Sequence, residues 1–99
     1  MSYRIRYTRA ARDDLRRLYA WLVDRNLRAA RRARGAIAKA MELLRQFPFT
    51  CRKATPDNPF LRELVIPFGS AGCVALLEIE DSETVTILAV RHQREDDYH

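Results

Sequence analysis

Phe60-Leu61-Arg62-Glu63-Leu64-Val65-Ile66-Pro67-Phe68, Cys73-Val74-Ala75-Leu76-Leu77-Glu78-Ile79 and Thr84-Val85-Thr86-Ile87-Leu88-Ala89-Val90 follow one another in the second half of the chain. β-Branched and large apolar residues dominate each run, and Gly69-Ser70-Ala71-Gly72 and Glu80-Asp81-Ser82-Glu83 separate them. This pattern predicts strands joined by turns. Links so short return each strand antiparallel, which gives a three-stranded meander. The last run continues into Arg91-His92-Gln93-Arg94-Glu95-Asp96-Asp97-Tyr98-His99, where nearly every side chain can donate, accept or carry charge.

Upstream, Tyr3-Arg4-Ile5-Arg6-Tyr7-Thr8 alternates apolar and polar residues, as an edge strand with one wet face does. Thr8 is placed to cap a helix whose apolar stripe is Ala11, Leu15, Leu18, Tyr19 and Leu22, with Asp13-Asp14 near its first turns. That helix is expected to stop near Arg25-Asn26, asparagine being tolerant of the left-handed turn that ends helices. Leu27, Ala30, Ala33, Ile37, Ala40, Met41, Leu44 and Phe47 then recur at three- and four-residue spacing, and Pro48 sets the end of this second helix. Arg28, Arg31, Arg32, Arg34 and Lys39 make its outer surface basic. Phe49 to Pro59, with two prolines and Asp57-Asn58, reads as a loop. The expected fold is α+β in the order β-αα-βββ. A helical hairpin packs on one face of an antiparallel sheet, in a single domain over residues 1–99.

The chain has 99 residues, 47% of them hydrophobic and 31% charged, the composition of a globular domain rather than a disordered segment. No apolar run nears the roughly 20 residues that span a bilayer, and no signal-peptide pattern follows Met1-Ser2-Tyr3-Arg4. A cytoplasmic location is therefore expected, with Cys51 and Cys73 as reduced thiols. No metal-ligand spacing and no cofactor motif stands out. The net charge of +5 suits an acidic partner.

Helices can cover only one face of the expected sheet, yet two strands are apolar on both. Cys73, Ala75, Leu77 and Ile79 alternate with Val74, Leu76 and Glu78; Val85, Ile87 and Ala89 alternate with Thr86, Leu88 and Val90. A wet face reads polar at every second position, and here it does not. Either the sheet twists and shields that face with its own tail, or a partner covers it with an amphipathic helix or an added strand.

The tail also admits a chemical reading. Cleavage of RNA by the ribose 2′-hydroxyl needs a base, an acid and cations, roles open to His92, Tyr98 or His99 with Arg62 and Arg91. Glu63, Glu95, Asp96 and Asp97 count against it, since acids repel a phosphate substrate and occupy arginines.

Several stretches together resemble the RelE/ParE toxin superfamily of bacterial toxin–antitoxin systems. They are Thr8-Arg9-Ala10-Ala11-Arg12-Asp13-Asp14-Leu15, Phe47-Pro48, Arg62-Glu63-Leu64, Phe68-Gly69-Ser70-Ala71-Gly72 and, above all, Ile87-Leu88-Ala89-Val90-Arg91-His92-Gln93-Arg94-Glu95-Asp96-Asp97-Tyr98. The last is similar to the ending of plasmid-stabilisation proteins on the ParE side. The resemblance implies a toxin held inactive, in a hetero-oligomer, by an acidic, partly disordered antitoxin. ParE-like members inhibit DNA gyrase by binding; the alternative is the RelE-like branch, which cuts messenger RNA in the ribosome. Carried onto this chain, the antitoxin meets Val74, Leu76, Leu88, Val90 and Arg62, and the target meets Arg91, His92, Arg94 and Tyr98. An RNase would use Arg62, Arg91, His92 and Tyr98. Of the mid-chain lysines of the RNase branch only Lys53 is a candidate. Cys73 and Leu77 stand where the family's Gly-aromatic strand leads one to expect tyrosines.

Overall fold

The N-terminal alternation yields β1 (Arg4–Tyr7), with Arg4 and Arg6 exposed while Ile5 and Tyr7 pack against the core. After it come α1 (Arg9–Arg25), α2 (Leu27–Gln46), a 3-10 turn (Pro48–Thr50), β2 (Arg52–Thr55), β3 (Asn58–Phe68), β4 (Ala71–Ile79) and β5 (Thr84–His92). This is a computed structural model, and it describes residues 2–69 and 71–93. The strands form one sheet in the order β1-β5-β4-β3-β2. The two helices contribute Ala11, Leu18, Leu22, Ala30, Ala33, Ile37, Met41 and Leu44 to a core shared with one face of the sheet. Leu44, Leu77 and Ile87 are its largest sealed aliphatic side chains, so cutting any one to alanine costs about 2–5 kcal/mol.

Helix hairpin, meander and edge strand stand as the sequence predicts, with four differences. The sheet is mixed rather than antiparallel, because β1 runs parallel to β5 with Ile5 opposite Val85. A parallel neighbour demands a long crossover, and here the crossover is everything between the two ends of the chain. Residues 52–55 are a strand rather than loop, paired with β3 at Arg52–Glu63 and Lys53–Arg62. The β3–β4 link is tighter than expected, since β4 already begins at Ala71 and Gly69 takes φ +71° at the turn. Leu27 and Phe47, placed on the apolar period of α2, are more than half exposed at its ends.

Asn26 closes α1 where expected but by another device. Its backbone is extended, its N–H donates to Leu22 O, and its side chain accepts from the Arg28 and Ala29 amides. One residue thus ends α1 and caps α2, which turns the chain in a single step.

The join between α1 and β5 controls everything on the C-terminal strand. Leu76 pairs with Ala89 but Leu77 pairs with Ile87, so Leu88 is an extra residue in β5. Such a bulge reverses side-chain parity beyond it. Three contacts from the start of α1 hold it. The Thr8 N–H donates to Ile87 O at 3.0 Å, and the Thr8 hydroxyl donates to Leu88 O at 3.0 Å while accepting the Ala11 amide. The Val90 amide donates to Asp14 Oδ2 at 2.9 Å.

Candidate functional site

The helix-free face of the sheet is read from its registers. Val65, Val74 and Arg91 form one row across three strands. Arg52, Glu63, Leu76 and Ala89 form the next, and Leu61, Glu78, Thr86 and Arg6 a third. Val74, Leu76 and Ala89 are half-buried and Val65 is 39% exposed. They make an apolar strip bordered by guanidinium groups, with an open cleft of about 280 Å³ over Arg52, Glu63, Val74, Leu76, Ala89 and Arg91. Arg52 pairs with Glu63 at 3.1 Å, an exposed contact worth at most about 1 kcal/mol. Arg91 is exposed and has no carboxylate partner among the described residues. Within the third row the Thr86 hydroxyl is buried without a hydrogen-bond partner among the described residues.

The bulge redistributes the residues expected on this face. Val74 and Leu76 lie on it, but Val90 is only 5% exposed and belongs to the helix-side core opposite Ala75. The expectation that Val90 lines the open face is corrected by the parity change at Leu88, which puts Ala89 beside Leu76 instead. Leu88, the inserted residue, is half-buried. Ala89 and Val65 are the members that sequence reading missed. Val65 follows the same alternation as Leu61 and Glu63, a signal that was available.

Arg62 is not on this face either. It stands opposite Leu77, on the helix side, and its guanidinium donates to three backbone carbonyls: Pro59 O at 2.7 Å, Phe49 O at 3.1 Å and Cys51 O at 2.8 Å. The same group lies 5.2 Å from the Phe49 ring centroid. Arg62 is a clamp on the Phe49–Cys51 segment, and its fork geometry is spent there. Lys53 sits opposite it in an edge strand rather than in a loop.

His92 is 3% exposed and also faces the helices. Its ring stacks with Phe68 at 6.1 Å and tilts against Trp21 at 4.7 Å. Trp21 is covered in turn by the Arg25 guanidinium at 4.2 Å. A second cleft of about 260 Å³ opens here between the helix hairpin and the β3–β4 turn, with Trp21, Arg25, Arg32, Phe68 and His92 among its walls. Arg91 and His92, neighbours in sequence, therefore point to opposite sides of the sheet. Arg94 and Tyr98, with His99, lie outside the described residues. Arg62, Arg91 and His92 do not converge on one point, so the described residues offer no acid, base and cation around a shared phosphate.

Both thiols are free and buried. Burial pushes Cys73 up to about 11 and raises Cys51 as well, the latter opposed in part by the Arg62 charge. Neither is a nucleophile at neutral pH. Cys73 and Leu77, where aromatics were expected, are both sealed in the core. No group of three or more metal-ligating side chains occurs among the described residues, and no described helix is long and apolar enough to cross a membrane.

Residues 5–97 match the family described as the ParE toxin of the type II toxin–antitoxin system parDE. The chain is 34% identical over 74 residues to Toxin RelE1 of Caulobacter vibrioides, a match covering 75% of this chain and 76% of that protein. Its fold is similar to a chain of the solved chromosomal ParDE toxin–antitoxin system from P. aeruginosa. There the TM-score is 0.64 with 18% identity over 92% of this chain and 96% of that one.

Proposed function

The chain belongs to the ParE toxin family of type II toxin–antitoxin systems, and from that premise we propose that it acts by binding DNA gyrase rather than by catalysis. The observation that carries the reading is the separation of the candidate catalytic groups. Arg62 is committed to three carbonyls, His92 is enclosed behind α1, and Arg91 projects from the opposite face. General acid–base chemistry needs its groups within hydrogen-bond reach of one substrate. What the described surface offers instead is recognition: an apolar strip with arginines at its margin.

The partner of that strip is the antitoxin. An acidic amphipathic segment laying apolar side chains over Val65, Val74, Leu76 and Ala89 would also meet Arg91 and Arg52. Burial would hold it there and charge would speed its arrival. Ordering of a disordered segment on binding fits such a surface.

Expression of the chain without antitoxin, followed by gyrase supercoiling and cleavage assays beside in vitro translation, tests the reading. Trapped gyrase–DNA cleavage with intact translation is expected. Ribosome-dependent mRNA cleavage with normal supercoiling would replace it by the RNase reading.

A further inference from the structure

One surface lies apart from the antitoxin strip, and of its side chains only Arg32 also reaches the β3–β4 turn, beside Gly69. Arg28, Arg31, Arg32, Gly35 and Lys39 are all exposed, and at 3.6 residues per turn they fall within an arc of roughly 100°. The buried residues of α2, Ala30, Ala33, Ile37, Met41 and Leu44, lie on the other side. The stripe from Arg28 to Lys39 is about 17 Å long at the helical rise of 1.5 Å per residue.

Three features of this stripe weaken the helix that carries it. Basic side chains crowd the N-terminal turns of α2, and its first turn holds no acidic residue, the reverse of what the helix dipole favours. Arg28 stands three and four residues from Arg31 and Arg32, so like charges face one another. Gly35 interrupts the middle of the helix, where glycine is the poorest residue but proline. Packing does not ask for it, since nothing lies within 4 Å of the position its Cβ would occupy. Local rules broken without a return inside the fold point to an outside partner.

The chemistry of the stripe selects that partner. Three arginines elsewhere on the helices are neutralised, Arg16 by Asp13, Arg17 by Asp14 and Arg45 by Glu42. Arg9, Arg12, Arg25 and Arg34 stand singly rather than in a stripe. None of Arg28, Arg31, Arg32 or Lys39 has a carboxylate partner among the described residues. No large apolar side chain is exposed between Leu27 and Leu43. A protein interface has an apolar centre depleted in charge, whereas contacts that position a nucleic-acid backbone are cationic and need no apolar area. A duplex carries one negative charge per about 1.7 Å of axis, so a stripe of this length meets several phosphates.

We propose that the outward face of α2 is a track for the phosphate backbone of duplex DNA, gripped by Arg28, Arg31, Arg32 and Lys39, with Gly35 leaving room for the backbone to come close. This goes beyond the gyrase reading and is measured without gyrase, so either can fail alone.

The test is fluorescence anisotropy of the full chain with a labelled 20-base-pair DNA duplex between 50 and 200 mM salt. Four phosphate contacts predict a slope of log K on log salt of about −3.6 and an affinity loss of ~100-fold across that range. Replacing Arg28, Arg31, Arg32 and Lys39 together with Gln should abolish most of that slope. Replacing Arg4, Arg6, Arg9 and Arg12 with Gln removes equal charge elsewhere and should change it by less than about 1. Gly35→Gln should raise Tm by about 3 °C yet weaken DNA binding at least 5-fold. Equal losses from the two charge sets would reduce the effect to net charge and overturn the proposal. So would Gly35→Gln binding as wild type, or poly-glutamate competing as well as unlabelled duplex.

Discussion

Asp14 and Val90 are 76 residues apart in sequence, and the carboxylate of the first accepts the amide of the second at 2.9 Å. The pairing of β1 with β5 ends at Tyr7 and Ile87, short of that amide, and the helix supplies the acceptor. Asp14→Ala leaves a part-buried N–H unpaired and should cost about 1–3 kcal/mol. Asp14→Asn retains an oxygen and should cost less than half as much. Urea unfolding with an unchanged m-value measures both.

Thr8 does two things with one hydroxyl, capping α1 through the Ala11 amide and tying Leu88 O. Thr8→Ser should be nearly neutral. Thr8→Val keeps the shape, loses both bonds and should lower stability by about 1–2 kcal/mol. Thermal melts of the two variants side by side check this.

Arg62→Lys is not a conservative change here. One ammonium cannot serve Pro59, Phe49 and Cys51 carbonyls from the position of a planar fork. Faster amide hydrogen exchange confined to residues 49–55 is expected, with a loss of about 1–3 kcal/mol. Unchanged exchange there would remove the clamp assignment.

Leu76→Glu places a carboxylate in the middle of the open apolar strip. Because Leu76 is only half-buried, the fold should survive with a modest fall in Tm. Antitoxin affinity should drop by 100-fold or more, since a desolvated charge would face an acidic partner. Titration calorimetry with the antitoxin reads this directly, and wild-type affinity would clear the strip of the role.

The Cys73 thiol titrates at about 11 in the folded chain against 9.0 when unperturbed, because burial disfavours the thiolate. Its raised value means that the unfolded chain loses this proton first as pH rises. The stabilisation is therefore complete below pH 9 and is lost progressively between pH 9 and 11. Tyr7 and Tyr19, raised by burial in the same way, add to the alkaline loss. Cys73→Ala should flatten the fall of Tm over that window relative to wild type. Below pH 9 the native thiol should resist disulfide reagents until the chain unfolds.

What could be read in advance follows the range of the forces involved. The helices, β1 and the meander rest on periodicity and turn residues, which are local. β2 does not: Arg52-Lys53-Ala54-Thr55 has little strand character, and only pairing with β3 and the Arg62 clamp extend it. Nothing in Tyr3–Thr8 names β5 as its neighbour or makes the pairing parallel. The site was half legible for the same reason. Val74 and Leu76 follow from simple alternation in β4. Val90 was assigned by that alternation carried through Leu88, where no glycine marks the bulge that Thr8 and Asp14 hold, and His92 was read as part of a polar tail although the strand carries it into the core. Arg62 looked like a surface cation because its three acceptors are main-chain carbonyls, which leave no imprint on composition.

The pairing of β1 with β5 also sets a timetable for synthesis. The first strand and the helix after it dock on the last described strand, so neither can take its place while the ribosome is still making what lies between. Nascent chains halted before Thr84 lack the strand that separates β1 from β4 in the sheet. The polypeptide thus acquires its shape, and with it any capacity to harm its host, only after residues 84–92 have left the ribosome.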